Sequence, residues 1–293
     1  ADIPLVEGEN KISLSLWYRD ELIKSSVKMI FKYEPPKSNL FVMAYGIPSG
    51  GLAQVSKDAA DLAAAFNTQQ GKLFSTIQTQ VFNTPAQTAT QEIKKSIRSI
   101  ANDYFDFKRI RKNDVILIYI SAHGSLIRDM LHIHASDYDP IYEDETTLSF
   151  QKDIQDKLKD IPCKKIFLID ACHSGAAGQV AAMADGIKGT EEDDLAAALI
   201  KLSDASNDFY YLLSSSAGEV SYTDDSWGNS AFTKGILEAL HDQSESTLQG
   251  IQHADEDGNR IIDLKEIFEY LQERVPVIIQ SKKNLRSTQT PYT

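Results

Sequence analysis

Two short stretches carry the side chains with chemistry to offer. In DVILIYISAHG an apolar run leads into Ser121, Ala122, His123 and Gly124, and in KKIFLIDACHSG a second leads into Asp170, Ala171, Cys172, His173, Ser174 and Gly175. A thiol has an ordinary pKa near about 8.5, and a neighbouring imidazole moves it toward the thiolate that attacks carbonyl carbon. The same imidazole can then hand its proton to a leaving amine. His123 is the expected base and Cys172 the expected nucleophile. His173 adjoins the cysteine, but adjacent side chains on an extended backbone diverge, and a sequence neighbour stands poorly across a substrate from the nucleophile. Gly124 and Gly175 allow close backbone approach, which makes the amides of Gly124 and Cys172 the expected holders of a tetrahedral oxyanion. A free Cys alone is ordinarily a small buried hydrophobe and a lone His ordinarily structural. Their placement at the ends of two similar strands, each followed by glycine, favours the functional reading; Cys163, between a helix and a strand, keeps the structural one.

The elements that must position these residues are legible as alternating patterns. Apolar runs at Leu40 to Tyr45, Val115 to Ile120, Ile166 to Ile169 and Tyr210 to Leu213 have the length and composition of buried strands. Helix-like segments lie between them at Ser56 to Phe66, Thr88 to Phe105, Ser149 to Leu158 and Asn229 to Leu240, and Thr88 with Gln91 fits a capping box. Strands separated by helical crossovers imply an α/β domain, a three-layer sandwich with a mostly parallel sheet and helices on both faces. Ligands of such sheets sit beyond the carboxyl ends of the strands, where His123 and Cys172 fall. Residues 1 to 36 read differently: NKISLSLW and SVKMIFKY alternate apolar and polar residues around a polar turn, and Pro35 and Pro36 follow. That is an N-terminal β-hairpin, or part of an upstream β-sandwich module, ahead of a main domain at 37–293.

Composition narrows the partners. The chain of 293 residues carries 30 basic and 42 acidic side chains, a net charge of −12, which argues against nucleic acid and anionic membrane surfaces. No apolar run approaches the roughly 18 residues of a membrane span, and the first residues lack a basic segment followed by an apolar one. The expected setting is cytoplasmic, without membrane insertion. Two cysteines cannot build a disulfide framework or a four-thiolate zinc site.

YISAHGS and LIDACHSG resemble the two signatures of the caspase-like cysteine peptidases, and DACHSG is most similar to those of metacaspases and bacterial caspase homologues. His123 precedes Cys172 by 49 residues, in line with the spacing of about 50 in the caspase motif. AYGI, VSKDAADLAAAF, SSSAGEVSYTDDSWGNSAFTKGILEAL and the closing QTP extend the resemblance from about Asn39 onward; Ala122 departs from the glycine of many relatives. The resemblance implies a cysteine endopeptidase with a His123/Cys172 dyad and no required cofactor. It further implies that Leu212 to Ser216, including Ser214, Ser215 and Ser216, binds the substrate backbone by strand addition beside the side-chain pocket. Caspases that cut after aspartate carry arginines there. This chain has no Lys or Arg from Leu212 to Phe232 but does have Glu219, Asp224 and Asp225, with Asp170 two residues before the nucleophile. An acidic pocket pairs with Arg or Lys, so protein or peptide substrates with those residues before the scissile bond are expected. Lys188, in GIKGTEEDD, falls in the segment where relatives are self-processed, though an ordinary acidic surface loop is the simpler reading.

Three other readings compete. Asp255, Asp257, Asn259, Ile261, Asp263 and Glu266 have the spacing of a calcium loop, with Arg260 where glycine is usual; a turn leading into a helix at Leu264 to Val275 is the favoured alternative. His132 and His134 alternate on one strand ahead of Asp137, a pattern a metal-dependent hydrolase could use. A catalytically silent scaffold of the same fold is the remaining possibility, from which the retained Cys and His argue away.

Overall fold

The computed structural model describes residues 8–12, 15–25, 29–33, 37–106, 109–128, 130–173, 208–215, 219, 221–241, 254–281 and 289–293. The chain divides into two compact units, Ala1–Lys37 and Ser38–Thr293. In the first, β1 (Gly8–Ile12) pairs antiparallel with β4 (Met29–Tyr33), and β2 (Ser15–Tyr18) with β3 (Glu21–Ser25). Arg19 and Asp20 turn the tip with positive φ of 49° and 63°. The expected hairpin is present, in two paired stretches rather than one.

In the second unit, β5 (Leu40–Gly46), β6 (Ile77–Phe82), β7 (Val115–Ile127), β10 (Lys164–His173) and β11 (Phe209–Leu213) are parallel, in the spatial order β11-β10-β7-β5-β6. β8 (Met130–His134) and β9 (Thr147–Ser149) add an antiparallel extension to the far end of β7 and complete seven strands. β6, with the sequence IQTQVF, is a strand the sequence pattern does not announce: its two polar glutamines alternate with the apolar set expected of a half-buried strand. β7 changes neighbour along its length. It pairs with β5 up to Gly46↔Ser121 and with β8 from Gly124↔Ile133, so His123 stands at the seam.

Helices cover both faces. α1 (Gln54–Asn67) buries Val55, Ala59, Leu62 and Ala63, an i, i+4, i+7, i+8 stripe, and packs with α3 (Ala231–Leu240) and α4 (Leu264–Gln280) on one face. α2 (Thr90–Phe105) buries Ile93, Ile97 and Ile100 on the other, each contributing about 1.5–3 kcal/mol of burial. The stretch expected as a helix over Ser149 to Leu158 is a π-turn at Phe150–Gln155 followed by Asp156–Leu158. The proposed Thr88/Gln91 capping box does not form. α2 begins two residues later, and Asp137 caps it from across the sheet, accepting from the Thr90 amide at 2.9 Å and its hydroxyl at 2.8 Å. Among the described residues no helix is long and apolar enough to cross a membrane.

Candidate active site

The parallel ladder of β7 and β10 sets Asp170 against Ser121, Ala171 against Ala122, Cys172 against His123 and His173 against Gly124. Main-chain hydrogen bonding alone therefore places the two reactive residues on neighbouring strands, spaced by about 4.8 Å in a sheet. Gly124 is buried, and a Cβ there would meet the His132 carbonyl and Leu131 Cδ1 at 3.4 Å.

The His123 imidazole is half-buried and held by a residue the sequence pattern does not flag. After β5 the chain turns through Ile47, whose amide donates to the Ser121 carbonyl at 2.9 Å, and reaches Gly50 at φ +57°. The Gly50 backbone hydrogen-bonds the imidazole, and a Cβ added at Gly50 would lie 2.8 Å from His123 Nε2. Nδ1 is buried and has no partner, so the Gly50 bond uses Nε2. A backbone bond that raises imidazole basicity is one in which the carbonyl accepts from Nε2–H, which leaves the lone pair on Nδ1. Burial outweighs that bond and holds the His123 pKa below its ordinary 6.5, so the ring is neutral and able to accept a proton at pH 7. Cys163 has the opposite character: burial pushes its thiol up to about 11, in keeping with the structural reading.

Asp170 ends the apolar part of β10 in a buried polar nest. Ser221 Oγ and Ser230 Oγ each donate to it at 2.5 Å, and burial raises its pKa despite those bonds. Ser230 also caps α3, accepting from Thr233 N at 3.1 Å, and its own amide donates to Asp58 Oδ1 at 3.1 Å. Asp58, from the first turns of α1, is fully buried and is the second carboxylate of the nest. Its pKa is pushed up to about 7, by burial first and then by the charge of Asp170, against the bonds from Asn229 and Ser230. Gln289 of the closing QTP clasps the rim: it donates to the Ser214 carbonyl at 2.9 Å and Ser221 Oγ at 3.2 Å, and accepts from Tyr222 N at 2.9 Å.

Other expected site residues are used differently. Ser214 is buried at the end of β11, its amide donating to the Ile169 carbonyl at 2.9 Å, and Ser215 is half-buried beside it. Ser216 and Lys188 lie outside the described residues. Both carboxylate oxygens of Glu219 accept from Thr290, one from its amide and one from its hydroxyl, so Glu219 ties the C-terminal segment rather than lining the acidic nest. Asp224 caps the turn Asp225–Trp227, accepting from Ser226 N and Oγ at 2.8 and 2.7 Å, and Asp225 is exposed on that turn. The acid that joins Asp170 is thus Asp58, from a helix rather than from the loop after β11.

The metallohydrolase set does not assemble. His132 Nδ1 bonds Thr147 Oγ1 and His134 Nε2 bonds Ser125 Oγ, both at 2.9 Å, while Asp137 is committed to α2. In the acidic loop, Asp255, Asp257 and Glu266 bring oxygens within 4.8 Å of one another, the one such cluster among the described residues. Glu266 accepts from the amides of Glu256, Asp257 and Asp263, and Asp263 completes a capping box for α4. Asn259 accepts from Ile261 N, and Asp257 from Asn259. This is the turn and helix start, built from the loop's own donors, and Arg260 takes the left-handed φ of 67° expected of the missing glycine.

Residues 43–293 match the caspase domain. The chain belongs to the caspase-domain family. That is a family of cysteine peptidases, and the mixed central sheet flanked by helices is its fold. None of the curated proteins matches the chain. Among solved structures, the caspase domain is similar to protein GSU0716 from Geobacter sulfurreducens, at 13% identity over 87% of this chain and 92% of that one, with a TM-score of 0.48. It is also similar to Caspase-1 from Spodoptera frugiperda, at 15% identity over 88% of each chain and a TM-score of 0.44. The Drosophila initiator caspase Dronc gives 14% identity over 87% and 78% of the two chains, with a TM-score of 0.48.

Proposed function

We propose that this caspase domain is a cysteine endopeptidase that hydrolyses peptide bonds after Arg or Lys. The observation that carries the reading is the Cys172↔His123 register together with the unpartnered Nδ1 of His123. In the proposed sequence, Nδ1 takes the Cys172 proton and the sulfur adds to the scissile carbonyl. The amides of Gly124 and Cys172 hold the oxyanion. The tetrahedral species collapses to a thioester as His123 delivers its proton to the leaving amine. Water, deprotonated by the same imidazole, then attacks the thioester, and the acid product leaves with the thiol restored. Gly50 is a positioning residue: its carbonyl fixes the tautomer that leaves Nδ1 free.

Asp170 and Asp58 support the preference for a cationic side chain. Two buried carboxylates with no basic residue from Leu212 to Phe232 form a site whose charge is balanced by a guanidinium or ammonium group. Cleavage-site profiling on a denatured proteome, with the wild type and Cys172→Ala in parallel, tests the whole reading. Cys172-dependent cuts after Arg and Lys are expected. Cuts after Asp would remove the specificity, and no Cys172-dependent cuts, with Cys172 unreactive to iodoacetamide, would leave a silent scaffold.

A further inference from the structure

The two buried acids pose a charge problem that the fold answers only in part. Asp58 is fully buried and Asp170 is 4% exposed. Asp58 Oδ1 receives Asn229 Nδ2 at 3.0 Å and Ser230 N at 3.1 Å, whereas Asp58 Oδ2 is buried with no partner. Asp170 receives two serine hydroxyls, and one of them, Ser230 Oγ, belongs to the residue whose amide serves Asp58. The groups around the pair can be named element by element. On α1 lie Lys57 and Asp61, whose side chains pair with each other; Lys57 Nζ also reaches Asn229 Oδ1 at 3.5 Å. The turn before α3 supplies Asn229 and Ser230, and α3 supplies Thr233, whose Oγ1 bonds the Tyr119 hydroxyl of β7 at 2.6 Å. Lys57 is the one cation in this set among the described residues, and Asp61 occupies it. Two like charges this close in a buried site cannot both stay ionised without a counter-charge.

We infer that Asp58 and Asp170 share one proton in the free domain and surrender it to solvent when a cationic side chain enters, so that recognition of Arg is an exchange of a proton for a cation. This rests on the specificity proposed above and adds to it a second substrate class. With the proton in place the nest is closer to neutral and accepts the urea of citrulline, the uncharged isostere of arginine; without it, the nest selects the guanidinium. The position of the Asp58 titration near pH 7 sets where the switch occurs. Arginine stays charged throughout this range. Any titration of His123 or Cys172 acts on both substrates and cancels in their ratio.

The test is kcat/KM for two peptides that differ only in Arg or citrulline before the scissile bond, measured from pH 5.5 to 8.5. The Arg/citrulline ratio should rise about tenfold between pH 6 and pH 8 and then level off. In Asp58→Asn the slope should vanish, and a slope that persists would place the proton elsewhere and overturn the inference. Because that variant could fold poorly, calorimetry on Cys172→Ala provides an independent count. Binding of the Arg peptide in two buffers of different ionisation enthalpy should release about one proton at pH 6 and almost none at pH 8.5. No release at pH 6, or a flat ratio with Arg still preferred, overturns the exchange and leaves the Arg specificity standing. Absence of Arg and Lys cleavage at every pH, with Cys172 reactive to iodoacetamide, would instead sink the specificity itself.

Discussion

The Gly50 contact gives the sharpest way to perturb the His123 imidazole without touching it. Ala at position 50 must hold a backbone φ of +57° and place its Cβ 2.8 Å from Nε2 and 2.9 Å from Cδ2, where ordinary contact begins at 3.4 Å. The left-handed backbone alone costs about 1 kcal/mol for a residue with a Cβ. That corresponds to a fall in Tm of about 2–4 °C for a domain of this size. The clash is the functional part: the ring or the loop must give by roughly half an ångström or more, and a misplacement near 1 Å costs on the order of 100-fold in rate. Gly51→Ala separates the two effects, since Gly51 has φ +88° but nothing within 4 Å of the added Cβ. Both variants should lose similar stability, while Gly50→Ala alone loses about 100-fold in kcat/KM and in the rate of Cys172 alkylation, and Gly51→Ala stays within about threefold. If Gly50→Ala retained full activity, or if both variants lost activity equally, the assignment of Gly50 as the support of the imidazole would be wrong.

Three further outcomes follow from the same geometry. Asp58 has a folded pKa near 7 against 3.8 unfolded, so the folded state binds more protons between those values and loses stability as pH rises through them. Asp58→Asn should therefore raise Tm relative to wild type at pH 8 and show no such gain at pH 4; a gain that is equal at both would contradict the buried charge. His123 is held below 6.5, and protonation removes the base, so with the citrulline substrate activity should fall as pH drops through a midpoint below 6.5. A midpoint above 6.5 would mean that the imidazole is less desolvated than described. Asp137→Ala should cost about 1 kcal/mol by uncapping α2 while leaving the activity unchanged and indifferent to EDTA. An EDTA-sensitive wild type that loses activity with Asp137 would restore the metal reading.

The strand ends were readable because they depend on local information: an apolar run with a reactive residue and a glycine after it marks both a buried strand and its exit. Parallel pairing of two such runs then predicts the Cys172↔His123 juxtaposition. The same reasoning misses Asp58. In KDAADLAAAF it reads as one more polar position on an amphipathic helix, and only the crossing of α1 over β10 and the turn at Ser230 turns it into the neighbour of Asp170. Gly50 is hidden for a similar reason, since IPSGG is an ordinary turn until the imidazole is seen against it. Asp137 caps a helix 47 residues upstream, where a local Thr88/Gln91 box had seemed sufficient. Glu219, Asp224 and Asp225 were attractive for their charge alone, and charge in a loop is most often spent on nearby amides and hydroxyls, as Asp224 and Glu219 are.

The ladder between β7 and β10 runs unbroken from Lys164↔Val115 to His173↔Gly124. Alignment of nucleophile and base therefore owes nothing to any particular side chain along those strands, and apolar replacements inside them should leave it intact. Insertion of one residue ahead of either reactive position is the damaging change: it slips the partner by a place and turns every later side chain to the opposite face. Loss of function by genetic variation in these strands should accordingly concentrate in insertions and deletions, and conservative substitutions should pass unnoticed.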